Sequence, residues 1–321
     1  MCGKMAKIDG IHHVTAFCNE PQVNYDFFTD VLGLRFVKRT VRFDVPEKIY
    51  HLYYADGEGT PGTVVTFFPM VNMPMEEGVV GKGAMSSTGL TIPEGSVDYW
   101  EGRFEDHDVE YTIDERFGET ALQFASPDGT PFELVTGESE IEAWTGSDVP
   151  EEDGIRGIFN VTLHSSDPAG TMDVLETMGW DRLGEATHFQ AGDRIRYEAP
   201  GDAPCATAVD VLIRPNAPMA VMGIGTWLHV AFSVNDDWEQ DEVSRVLREN
   251  GYITTSTKDR DYFHSRYITE PGGAVFEYAT KGPGFTIDED VDELGSEMRV
   301  PAWLEVDVDR IVEMLPSLET D

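Results

Sequence analysis

Four segments of this chain begin alike, and that repetition limits its fold more than any other feature. They read G-I-H-H-V-T-A-F at 10–17, S-T-G-L-T-I at 87–92, G-I-F-N-V-T-L-H at 157–164 and G-T-W-L-H-V-A-F-S-V at 225–234. Each has the look of a short apolar strand, and the spacing between them is about 70 residues, a period that marks repeated supersecondary units. Amphipathic stretches with helical spacing follow three of them, from Val23 onward, at 171–178 and at 238–247, with 97–104 a weaker counterpart in the second unit. Runs rich in β-branched and aromatic residues, such as 49–55 and 62–68, then supply further strands. The repeated unit is βαβββ. Its closing segments agree as well, because S-P-D-G-T-P-F-E-L-V-T at 126–136 lies over E-P-G-G-A-V-F-E-Y-A-T at 270–280 without a gap. Pro127 then matches Pro271, Gly129 matches Gly273, Phe132 matches Phe276 and Glu133 matches Glu277.

Paired βαβββ units that open on a strand histidine and close on P-x-G-x-x-F-E resemble the vicinal oxygen chelate superfamily of glyoxalases and extradiol dioxygenases. Five further stretches, I-H-H-V-T, V-L-G-L-R-F-V-K-R-T-V, I-Y-H-L-Y-Y-A-D, G-T-P-G-T-V-V-T-F-F-P and D-R-D-Y-F-H-S-R-Y-I-T-E-P-G-G, are similar to its branch of ring-cleaving dioxygenases acting on hydroquinones. The resemblance runs to the tail, L-G-S-E-M-R-V-P-A-W-L-E. It implies an α+β fold of four βαβββ modules arranged as two glyoxalase/dioxygenase-like domains, 1–145 and 146–321, the second carrying the tail.

In such folds two modules face each other as a cup, with metal ligands on their first and last strands. The opening positions are His13, Gly89, Asn160 and His229, and the closing positions are Thr66 or Phe67, Glu133, a residue near Asp210, and Glu277. Modules one and four therefore offer His13, His229 and Glu277 as metal ligands and a non-ligand at the fourth place. Modules two and three offer Glu133 without a histidine, a degenerate cup in which Glu133 serves a polar network or the surface. Two histidines and one carboxylate suit non-haem Fe(II), with Mn(II) accepting the same donors, and leave positions open for substrate and O2. Glyoxalase-like lyases of the superfamily use four protein ligands, so the missing fourth favours oxygen chemistry.

Strand alternation sends His12 and His13 to opposite faces, and the alignment makes His13 the ligand. By resemblance His12, Thr15, Arg260 and Tyr267 surround the metal ligands, Tyr267 meeting substrate and Arg260 stabilising anionic charge. One departure stands out, because relatives carry a histidine where this chain has Leu228. Among the other histidines, His51 reads as structural and His107 as exposed, while His164, His188 and His264 have no carboxylate at ligand spacing. The resemblance implies an Fe(II)-dependent extradiol-type dioxygenase opening a hydroquinone- or catechol-like ring. A metal-dependent lyase or isomerase of glyoxalase type, and a metal-free small-molecule binding protein of the same fold, are the alternatives.

Charge narrows the partners. Sixty acidic against 23 basic residues give a net −37, which repels nucleic acid and anionic membrane. The excess is dispersed, and only seven basic residues are lysines, a surface suited to a salt-rich cytoplasm. Cys2, Cys18 and Cys205 form no CxxC pair, and neither a leader pattern nor an uninterrupted apolar span of membrane length occurs. The expectation is a cytoplasmic protein acting on a small aromatic substrate, with homo-oligomerisation left open.

Overall fold

The structure, a computed structural model, describes residues 8–42, 49–188 and 192–320. Module one comprises β1 (Ile11–Cys18), α1 (Pro21–Asp26), β2 (Arg35–Val41), β3 (Tyr50–Ala55) and β4 (Val64–Pro69). Module two runs through β5 (Ala84–Ile92), α2 (Val97–Asp106), β6 (Tyr111–Arg116), β7 (Glu119–Ala125) and β8 (Pro131–Thr136). Module three has β9 (Ile158–His164), α3 (Pro168–Thr177), β10 (Asp181–His188), β11 (Gly192–Glu198) and β12 (Ala208–Ile213). Module four has β13 (Trp227–Val234), α4 (Asp237–Glu249), β14 (Lys258–Asp259), β15 (Phe263–Thr269) and β16 (Val275–Pro283). The expected βαβββ unit is present four times, and the 97–104 stretch forms a full ten-residue helix.

Local chemistry explains where the helices begin. Asp167 and Asp236 cap α3 and α4, accepting from the backbone N–H of Gly170 and Glu239, while Pro21 sets the first turn of α1. The repeated Pro-Gly turn needs its glycine. Gly129 and Gly273 adopt φ +87° and +106°, and a Cβ on Gly273 would stand 2.7 Å from a backbone oxygen.

Two eight-stranded sheets result. One has the order β14-β15-β16-β13-β1-β4-β3-β2, the other β10-β11-β12-β9-β5-β8-β7-β6. Module one thus joins module four and module two joins module three, so each sheet takes one module from residues 1–145 and one from 146–321. Inside each module the first and last strands run parallel, whereas the two first strands meet antiparallel at the sheet centre.

Period-two alternation divides the work of the central strands. Val14, Ala16 and Phe67 enter the core. There Phe28 meets Phe67 at 4.7 Å and Phe132 at 5.5 Å, and Phe132 meets Trp227 at 4.9 Å, so one aromatic cluster ties three modules together. The intervening His13, Thr15 and Thr66 are left for the concave side. Beyond β16 the chain returns to β2, where Lys38 is wholly buried against Asp288 and Glu289. No helix among the described residues is long and apolar enough to cross a membrane.

Candidate metal centre

The cup made by modules one and four brings His13, His229 and Glu277 together, a cluster able to hold a metal ion among the described residues. His13 Nε2 and His229 Nε2 are 3.3 Å apart, and Glu277 Oε2 lies 3.7 Å and 3.0 Å from them. Three donors about 2.1 Å from one ion and at right angles would stand about 3 Å apart, so the spacing fits a single cation. All three residues are buried. Glu277 Oε2 has no hydrogen-bond donor, although Oε1 accepts from Ser265 Oγ at 2.5 Å. A buried carboxylate oxygen left bare and aimed at two imidazoles is what a site built for a cation looks like.

Protonation favours the same reading. Burial lowers His13 far below an ordinary histidine and outweighs the pull of Glu277. Burial alone would raise Glu277, but the two imidazoles and the Ser265 hydroxyl hold it well below the usual carboxylate range. A neutral His13 and an ionised Glu277 are the forms a metal requires.

Strand register decides between the sequence alternatives. Thr15 pairs with Thr66 as Ala231 pairs with Glu277, so Thr66 occupies the fourth-ligand position and Phe67 lies in the core. Thr66 Oγ1 donates to Thr15 Oγ1 at 2.9 Å, and Thr15 Oγ1 is 2.8 Å from His229 Nε2. His12 departs from simple alternation. Two steps from Ile11 to His13 oppose one step from Phe232 to Ala231, a bulge at His12 that turns its ring back toward His13. The Nδ1 atoms of the two rings are 2.9 Å apart, so His12 steadies the ring of His13 from behind. Burial lowers His12 to about 4.

Tyr267 and Arg260 line the same cavity, of about 170 Å³, with Leu228, Val275 and Phe68 as apolar wall. Arg260 Nη2 donates to the Tyr267 hydroxyl at 3.3 Å, and burial with Glu277 nearby raises Tyr267 far above an ordinary tyrosine. Sequence reasoning missed His51 and Tyr53, which line this cavity as well. Their signal was the i, i+2 spacing in I-Y-H-L-Y-Y, which puts both on one strand face. His107 is exposed and His164 is buried with Nε2 unpartnered. His264 pairs with Asp237 at 2.6 Å, a carboxylate the sequence spacing did not suggest. The His188 side chain and Cys2 lie outside the described residues, and Cys18 and Cys205 are free and buried.

The second cup is built differently. Its register equates Ser87, not Gly89, with His13, because Ser87 pairs with Thr162 as His13 pairs with Ala231. Gly89 takes the place of Thr15 and must be glycine, since a Cβ there would lie 2.2 Å from Asn160 Oδ1. The four places are thus Ser87, Asn160, Glu133 and Asp210. Guanidinium groups fill the space between the carboxylates. Arg196 grips Asp210 through Nε at 2.7 Å and Nη2 at 2.9 Å, Arg116 pairs with Glu133, and Arg194 stands 3.9 Å and 3.8 Å from the two acids. Glu133 is a buried network carboxylate. A wider, more open concavity of about 870 Å³ lies over this cup, but its acids are already neutralised.

The profile of the Glyoxalase/Bleomycin resistance protein/Dioxygenase superfamily matches residues 10–134. The chain is 40% identical over 301 residues to "Putative ring-cleaving dioxygenase MhqO" of Bacillus subtilis, covering 93% of each. It is 33% identical over 310 residues to chlorohydroquinone/hydroquinone 1,2-dioxygenase of Sphingobium indicum, again covering 93% of each. A Bacillus subtilis crystal structure titled as a putative dioxygenase superposes with a TM-score of 0.91 at 39% identity, over 98% of this chain and 99% of that one.

Proposed function

This chain belongs to the glyoxalase/bleomycin resistance protein/dioxygenase superfamily, and from that footing we propose that it is a cytoplasmic, Fe(II)-dependent extradiol-type dioxygenase opening hydroquinone- or catechol-like rings. The observation that carries the reading is Thr66 in the fourth-ligand position. On a six-coordinate ion a three-donor site leaves three positions, enough for a chelating diphenol and dioxygen together, whereas a four-donor lyase site leaves two. The ion, Fe(II) or the similar Mn(II), would be held by His13, His229 and Glu277 and would bring dioxygen and a phenolate oxygen together.

The chain's own residues do the rest. A cavity of about 170 Å³ suits one aromatic ring, since about 150 Å³ holds benzene. Leu228, Val275 and Phe68 exclude water from the ring faces. The Tyr267 hydroxyl, kept protonated by its surroundings, donates to a substrate oxygen. Arg260 orients that hydroxyl and places positive charge where the ring becomes anionic.

Protein purified without air and loaded with Fe(II) tests this. It should consume one O2 per diphenol as the aromatic absorbance disappears. Turnover of a hemithioacetal under nitrogen, with no O2 uptake on any diphenol, would overturn the assignment and favour a lyase.

A further inference from the structure

A line of hydrogen bonds leaves the cluster through the fourth-ligand position and returns to the cavity wall. From His229 Nε2 it passes to Thr15 Oγ1 at 2.8 Å, to Thr66 Oγ1 at 2.9 Å, to His51 Nε2 at 3.1 Å, and from His51 Nδ1 to the Tyr53 hydroxyl at 2.7 Å. Both threonines are fully buried, and His51 and Tyr53 line the cavity. The His51 ring is held between Phe68 at 4.2 Å and Tyr53 at 4.1 Å. No residue of this line from Thr66 outward serves as a ligand, and four polar groups in register are more than packing requires.

We propose that Thr15, Thr66, His51 and Tyr53 form a proton relay serving the vacated fourth-ligand position, an inference that rests on the ring-cleavage reading above. Without a metal the line points inward and ends on the lone pair of His229 Nε2. Once a cation takes that lone pair, the Thr15 hydroxyl must turn to another acceptor, and Thr66 Oγ1 at 2.9 Å is one, which leaves Thr15 Oγ1 free to accept from a substrate hydroxyl entering the open position. The line then reverses. The substrate O–H bond breaks and its oxygen keeps the electron pair, while the proton passes to Thr15 Oγ1. Thr15 passes its own proton to Thr66, and Thr66 passes its own to His51 Nε2. His51 enters this reversed line as its Nδ1–H tautomer, hydrogen-bonded to the Tyr53 oxygen, and on accepting at Nε2 becomes the imidazolium that holds the proton. One proton moves, no electrons are exchanged, and no co-reactant is needed. Burial and the Arg260 charge lower His51 well below an ordinary histidine, so the relay starts from a neutral ring and returns its proton readily.

Thr66 and His51 are positioning residues in this scheme, and Thr66→Val tests them because it keeps shape and removes the hydroxyl. In Fe(II)-loaded protein, kcat should fall at least about tenfold, the scale of loss when an outer partner of a metal site is removed, at nearly constant KM. The solvent deuterium isotope effect on kcat should change, and Thr66→Ser should restore both. In metal-free protein, Thr66→Val should shift the ¹⁵N signals of the His51 ring, while iron affinity should stay within about twofold. Unchanged kcat and isotope effect in a variant that still takes up O2 would overturn the relay and leave the ring-cleavage reading intact. Unmoved His51 signals would also overturn it. A wild type that cleaves no diphenol would overturn both.

Discussion

Tyr267 lies directly across from Glu277 in the antiparallel ladder of β15 and β16, and its ring stands edge-on to His229 at 5.8 Å. One strand pair therefore supplies a metal ligand and the hydroxyl beside it, and Ser265, two residues earlier, fixes the carboxylate. Tyr267→Phe removes only the hydroxyl. It should lower kcat by about tenfold to a hundredfold, with iron content by metal analysis unchanged. Loss of iron in that variant would mean that the hydroxyl organises the cluster instead.

Removing one acid from each cup should give opposite results. Glu277→Ala deletes the charged donor of a three-donor site, and metal binding by titration calorimetry should disappear. Glu133→Ala should leave stoichiometry near one metal per chain but destabilise the fold by about 3–5 kcal/mol, because buried Arg116 would lose its buried acid and keep only the more exposed Asp114. Chemical denaturation reads the second effect. Two metals per wild-type chain would contradict the division of labour.

Acid should weaken the metal-free fold through His12. Burial lowers it from 6.5 to about 4, so between those values the unfolded chain holds a proton that the folded chain does not. Stability from this group is complete above pH 6.5 and is lost as pH falls toward 4, a total of about 3 kcal/mol. Denaturation of wild type and His12→Gln across that window should show a steeper pH slope in the wild type by about one proton. Parallel slopes would remove His12 from the account.

Salt should stabilise the protein. A net charge of −37 carries self-repulsion that mobile ions screen. The melting temperature should rise as KCl goes from about 0.1 M to about 3 M, where the screening length shrinks below the spacing of surface charges. A flat profile would contradict a surface adapted to salt.

The repeats made the fold legible because each βαβββ unit carries its own strand, helix and turn signals, down to Gly129 and Gly273 in the same left-handed position. The clustering of the three candidate ligands was legible because repeat alignment counts positions along a strand, and His13, His229 and Glu277 sit at matching counts. Where a strand is irregular, counting fails. Gly89 stood in the alignment for a place that register gives to Ser87, since the β5/β9 ladder shifts between Met85 and Ser87 and again after Gly89. The bulge at His12 misled the simple two-face rule in the same way. His51 was hidden for another reason. Its function depends on Thr66, fifteen residues away on the next strand, and on a cavity formed with β13 and β15, neither of which leaves a mark in the local sequence.

The pairing of the first module with the last has a consequence for how the protein is made. His13 emerges early from the ribosome, but its partner His229 follows 216 residues later, and Glu277 later still. Modules two and three are contiguous and complete their shared sheet first, with Arg116, Arg194 and Arg196 already neutralising the acids inside it. The arginine-filled cup is thus the part of the chain able to fold during synthesis, and module one must wait with the edge of β1 unpaired until β13 arrives. Long sequence separation slows such closure, and a waiting sheet edge invites mispairing with other chains. The arginine-filled cup is the template on which the other is finally assembled, and its ion pairs serve assembly whether or not they serve chemistry.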